Sequence, residues 1–140
     1  MPIYRDTILC EIIRPEANNK LSLFGVFGES IFLPQIPTIL GSLAILQRWA
    51  PTKEEQPGTK FQMSFEVSGP AMEPIRFDPY DVVVPGPPRP LIQVAFQIQA
   101  FKVTVPGDYE IVTFVNRAET HRFVFTITVP DQQQPQQHLV

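Results

Sequence analysis

The sequence predicts an all-β fold: a two-sheet, immunoglobulin-like β-sandwich of about seven to nine short strands. Three observations carry that expectation. Residues 60–68 alternate strictly, with Phe61, Met63, Phe65 and Val67 against Gln62, Ser64, Glu66 and Ser68. A strand turns successive side chains to opposite faces, so one face is core and the other is wet. Short runs rich in Val, Ile, Phe and Thr are punctuated by 16 prolines and 7 glycines, the grammar of strands and turns. Helix-favouring runs of Ala, Glu, Lys and Leu are absent.

Taken in order, residues 7–14 form a first strand, with Ile8, Cys10 and Ile12 on one face and Leu9 and Ile13 flanking Glu11 on the other. Asn18 and Asn19, in the turn that follows, tolerate left-handed backbone. Residues 21–28 return as a second strand, in which Gly25 marks a bulge or a close backbone approach. Pro34 and Pro37 forbid a regular central strand in residues 29–37. That stretch is expected as an edge or a crossover between sheets. Residues 39–49 fit a short helix nearly as well as a strand; Gly41 and Pro51 favour a strand over 43–49. Residues 75–77 and 80–84 are short strands around Asp78-Pro79, and residues 85–90 are a stiff proline-rich connector. Prolines 34, 37, 79 and 85 are placed to protect sheet edges.

Three last segments, 92–105, 109–116 and 122–129, are expected to pair as a meander that seeds the fold. A Pro106-Gly107-Asp108 turn and a turn over 116–119 join them. The apolar phase of the first segment slips after Ile98, which predicts a bulge or bend near Gln99-Ala100. Pro-Gly-Asp-Tyr places Tyr109 where immunoglobulin-like sandwiches carry a buried tyrosine corner; the plain alternative is a half-buried strand aromatic. Residues 1–130 make one domain, and residues 131–140 a Gln- and Pro-rich tail.

Composition excludes several classes. With 140 residues and 44% hydrophobic content the chain can bury a core. Its charge of −3 and scattered Lys and Arg give no basic track for nucleic acid. No stretch approaches a membrane-spanning helix. One cysteine and an N-terminus without a charged-then-apolar pattern make a cytoplasmic protein the simplest expectation; a mature exported chain is the alternative.

The N-terminal hairpin carries a family resemblance. Leu9-Cys10-Glu11, Arg14, Glu16 and Lys20-Leu21-Ser22-Leu23-Phe24-Gly25-Val26-Phe27 resemble the opening of an uncharacterised bacterial and phage-associated family. Asn19 stands where that family has glycine, and Phe27 where it has tyrosine. The resemblance implies a β-sandwich of unknown function and supplies no catalytic residues.

Chemistry is sparse. Cys10 alternates with Ile8 and Ile12 as a small packed side chain. A Cys10–His121 enzyme site requires adjacent first and last strands. No Cys/His cluster has metal-ligand spacing, and no phosphate loop or nucleophile elbow occurs. The expectation is therefore no enzyme and no cofactor. Asp78 and Asp81, with Glu73 nearby, offer calcium a few oxygens, though a solvated turn explains them as well.

Binding features remain. Trp49, beside Arg48, can anchor a partner or sugar ring, or close the end of the core. A ligand-binding module for carbohydrate or calcium would cluster Trp49, Tyr80 and Asp81 at one end. The leading expectation is a non-enzymatic protein-interaction or self-assembling module. Its tail, through Gln136, Leu139 and Val140, would add a strand to an exposed edge.

Overall fold

The computed structural model describes residues 1–88 and 90–130. Among them ten strands form: β1 (Ile3–Pro15), β2 (Leu21–Phe27), β3 (Ser30–Phe32), β4 (Thr38–Ala50), β5 (Lys60–Ser68), β6 (Ile75–Arg76), β7 (Tyr80–Val83), β8 (Ile92–Val103), β9 (Gly107–Val115) and β10 (Ala118–Thr128). They make two sheets. The first has the order β2-β1-β4-β8; the second runs β3-β10-β9-β5-β6, with β7 also on β5. Only β3 and β10 pair in parallel.

The core lies between the sheets. Leu43, Ile45, Trp49, Val94 and Ile98 enter from the first sheet, and Met63, Phe65, Val67, Ile111, Phe125 and Ile127 from the second. The rings of Phe65 and Phe96 stack across the interface at 4.3 Å. Each such side chain taken out of water stabilises the fold by about 1.5–3 kcal/mol. The expected strand over 60–68 is β5, with Phe61, Met63, Phe65 and Val67 all buried.

The ambiguous run over 39–49 is the longer strand β4, central in the first sheet between β1 and β8. Residues Leu43, Ala44, Ile45, Leu46 and Gln47 are all buried, which hides the period-2 pattern. A strand covered on both faces reads as a continuous apolar run. The second cover is the end of the β1–β2 hairpin. The last β1–β4 pair is Cys10 with Ala44. Beyond it the hairpin crosses β4, because Ile13, Pro15 and Leu21 share a depression with Ala95 and Gln97 of β8. Cys10, Ala44 and Leu46 are thereby buried outside the main core.

Two left-handed residues bend the first sheet. Gly25 (φ 65°) lies opposite Glu11, and a Cβ there would sit 2.7 Å from the Glu11 carboxyl carbon. Ala100 (φ 56°) stands where the phase slip predicted a bend. Its partner strand slips at the same level: Leu43 pairs with Ile98 and Leu40 with Phe101, so the register is unbroken and both strands rotate together. The 29–37 stretch leaves the first sheet and places β3 on the edge of the second beside β10. The expected turn over 116–119 is narrower: Asn116 (φ 49°) and Arg117 (φ 71°) form a two-residue hairpin turn.

The expected meander does not form. β8 pairs with β4 in the first sheet, whereas β9 and β10 form a hairpin in the second. The chain between Val103 and Gly107 crosses from sheet to sheet instead of reversing within one. Tyr109 explains the crossing. Its ring is 1% exposed, lies 6.0 Å from Phe101 of the first sheet and stacks at 5.7 Å on Phe125 of the second. Its hydroxyl donates to the Val105 carbonyl at 2.6 Å, on the near side of the crossing. Gly69 makes room for the ring, since a Cβ there would lie 2.2 Å from a ring carbon.

This clamp is testable. Tyr109→Phe should destabilise the fold by about 1–3 kcal/mol through the orphaned Val105 carbonyl. Gly69→Ala should cost a similar or larger amount, about 1–3 kcal/mol or more, by overpacking against the ring. Urea denaturation measures both; an unchanged midpoint in either variant would show that the clamp is not structural.

Candidate functional site

A groove of about 650 Å³ lies on the side of the molecule where β7 and β8 run. Tyr80, Asp81, Val82 and Val83 form one wall, and Leu91, Ile92, Val94 and Ala95 the other. Glu16, Lys20 and Leu21, brought across β4 by the curled hairpin, close one end. Pro15, Pro85 and Pro90 stiffen the margin.

Both long walls are strand edges. Among the described residues β8 pairs only with β4, and β7 only with β5. The direction of the β7 backbone follows from its end. Val84 N–H donates to Thr59 O at 2.9 Å, and Val84 O accepts from Gly58 N–H at 2.9 Å. Alternate residues of a strand point their backbone groups to opposite sides. Val82 therefore faces β5, and Asp81 and Val83 turn their N–H and C=O groups away from it. Val83 is also 53% exposed, an apolar side chain on an open edge. Tyr80 lies tilted 6.2 Å from Phe65, and burial of its phenol pushes its pKa upward. Asp81 also borders a smaller polar depression with Lys60, Gln62, Asn116 and Arg117.

Of the residues expected to bind, the groove unites Tyr80 and Asp81. Trp49 is fully buried. Its indole N–H donates to Gln47 Oε1 at 3.2 Å, and Tyr4 meets its ring edge-on at 5.4 Å. It closes the core, so the surface cluster of Trp49, Tyr80 and Asp81 does not form. Arg48 is held in a two-pronged contact by Asp6 of β1, with Nε donating to Oδ1 at 2.8 Å and Nη2 to Oδ2. That contact lowers the Asp6 carboxyl pKa. Gln136, Leu139 and Val140 lie outside the described residues. Among the described residues no three of His, Cys, Asp and Glu converge on a metal-sized site.

Cys10 and His121 lie in different sheets. The Cys10 thiol is buried against the Ile12 carbonyl at 3.5 Å, and burial raises its pKa. His121 of β10 stacks on Tyr4 with ring centres 3.5 Å apart. Burial lowers its pKa below 6.5. A buried polar link had no counterpart in the expectations. Gln47 Oε1 accepts from Thr113 Oγ1 at 2.9 Å as well as from Trp49, joining β4 to β9 across the core. Its signal in the sequence is a lone glutamine inside an apolar run.

With this geometry in place, the family can be stated. Residues 5–128 match DUF6941, described as a family of unknown function, and the chain belongs to it. No curated protein matches the sequence. Among solved structures the chain is similar to the Pseudomonas fluorescens alkylpurine DNA glycosylase AlkC bound to DNA containing an abasic site analog. The identity is 8% and the TM-score 0.40, with 86% of this chain covered but only 30% of that one. No helix of the described residues is long and apolar enough to cross a membrane.

Two outcomes follow from the placement of Cys10 and His121. Cys10 should resist iodoacetamide in the native protein and react once urea unfolds it, as followed by mass spectrometry; rapid native labelling would contradict its burial. The folded state of His121 binds its proton at lower pH than the unfolded chain does. The stability it contributes is present above pH about 6.5 and is lost as pH falls through the lower folded value. NMR titration should place the His121 midpoint below 6.5, and His121→Gln should flatten that part of the stability profile.

Proposed function

We propose that the protein is a non-enzymatic interaction module that captures an extended peptide strand in the groove between β7 and β8. The carrying observation is that two strand edges, one from each sheet and each unpaired among the described residues, flank one concavity. Unpaired N–H and C=O groups on an edge bind a strand by extending the ladder, and adjoining side-chain pockets select its sequence. The apolar wall of Val83, Leu91 and Val94, with Lys20 and Asp81 at the rim, suits a segment of mixed polarity. The Tyr109 clamp supports the immunoglobulin-like reading of the scaffold, since a buried tyrosine bonded to upstream backbone is a hallmark of such sandwiches. The hairpin motif points to a bacterial or phage setting, and the lone buried thiol suits the cytoplasm.

Selection of a displayed peptide library against the purified protein tests this reading. Binders should be extended, and Val83→Pro should weaken them at least tenfold, because it removes a groove-facing N–H without breaking a β5 ladder bond. Binders indifferent to that substitution, or no binders at all, would overturn the reading.

A further inference from the structure

We infer that the strand taken by the groove is a peptide segment with apolar side chains on its inward face and an acid, Asp or Glu, on its outward face, where Lys60 and Arg117 receive it. The inference rests on the groove reading above and names the chemistry of its partner.

The β5–β7 register sets the frame. Lys60 pairs with Val83, Phe61 with Val82, Gln62 with Asp81 and Met63 with Tyr80. Residues paired across two strands share a face of the sheet. Phe61, Met63 and Val82 are buried towards the core, so Lys60, Gln62, Asp81 and Val83 stand together on the outer face. A strand added along β7 obeys the same alternation. Its inward residues fall beside Val82 and face Ile92 and Val94 of the opposite wall. Its outward residues fall beside Asp81 and Val83.

That outer face carries a depression of about 290 Å³, in which Lys60, Gln62 and Asp81 meet Asn116 and Arg117 of the β9–β10 turn. The Gln62 N–H donates to the Asn116 side-chain oxygen at 3.0 Å, and the Asn116 N–H to the Gln62 carbonyl at 2.8 Å. These bonds hold the turn, and with it Arg117, against β5. Asp81 borders both the depression and the groove. A strand seated on the β7 edge therefore lies at the open end of the depression.

Charge decides what the outward residues are. Arg48, Arg76 and Arg122 each lie on a carboxylate. Among the described residues Lys60 and Arg117 form no ion pair, and neither does Asp81, the one acid lining the depression. Two cations against one anion leave a local positive field that attracts an anionic group. A peptide residue beside Val83 lies two strand spacings from Lys60, about 10 Å, and the long, flexible lysine stem spans that gap over the short valine side chain. A peptide residue beside Asp81 stands directly opposite a carboxylate, where a like charge is unfavourable. The segment thus carries its acid at one outward position and a neutral or basic residue two positions away.

Selection of a displayed peptide library against the full chain reads this pattern directly. Binders should alternate apolar and polar residues, with Asp or Glu enriched at one outward position and depleted two residues from it. The strongest binder is then titrated by fluorescence anisotropy beside a version whose acid is changed to the amide. Lys60→Gln combined with Arg117→Asn removes both cations, and asparagine tolerates the left-handed backbone of the turn. The double variant should weaken the acidic peptide about fivefold, the size of two exposed ion pairs, and leave the amide version within about twofold. Salt at about 0.5 M should erase the difference between the peptides. Lys60→Glu alone, at an exposed strand position, should turn the selection towards Lys or Arg, and it serves where the turn substitution disturbs folding. Binders with no preference for an acid, or an equal loss for both peptides, overturn the inference; if those binders still respond to Val83→Pro, the groove reading stands. An oligomer of the full chain that Val83→Pro disperses puts a second copy in the groove and also overturns the inference. If no peptide binds, both readings fail.

Discussion

The crossing at Val103–Gly107 is the constraint on which the rest depends. Tyr109 places its ring between Phe101 of one sheet and Phe125 of the other, and its hydroxyl holds the Val105 carbonyl. A chain reversing at that point would have laid β9 against β8 and closed the first sheet's free edge. Because it crosses, β9 joins β5 and β10, and β8 keeps one side unpaired among the described residues. The same tyrosine that secures the core thus leaves open one wall of the groove. Its phenol is buried with a backbone partner, which is the condition for a polar tip inside a core to be tolerated.

A second link across the core is polar. Gln47 and Thr113 join the sheets by a buried hydrogen bond, with the Trp49 indole on the same oxygen. The Gln47 amide nitrogen has no partner among the described residues. Burying such a group costs free energy in any packing that leaves its oxygen unbonded too. Sliding β4 against β9 by one residue would do that, so the link opposes register errors between the sheets.

Edges are managed unequally. β7 is only four residues long, with Pro79 before it and Pro85 two residues after it, which limits a liability to uncontrolled pairing. On the opposite side β3 is shorter still and is followed by Pro34. β8 has twelve residues and no proline. Its protection comes from position, because the curled hairpin and the β7 wall stand beside its first part. An edge of that length sheltered in a concavity admits a single strand more readily than a flat neighbouring sheet.

Alternation and turn chemistry made much of the fold legible. Phe61 to Val67 declared β5, the phase slip at Gln99-Ala100 located a real bend, and Asn18 adopts the left-handed backbone its side chain tolerates (φ 63°). Tyr80 and Asp81 were legible as residues beside a surface groove because they sit between prolines in a short strand. Trp49 was not, since an aromatic at a strand end reads the same whether it faces solvent or core. By itself the sequence determined the all-β class, the strand positions and the absence of any familiar catalytic motif, because these depend on local periodicity and residue type. Only the tertiary structure decided which strands pair, where the chain changes sheet and which edges remain open. Those outcomes rest on contacts between residues far apart in the chain, such as Tyr109 with Gly69 and Gln47 with Thr113, and no local pattern encodes them.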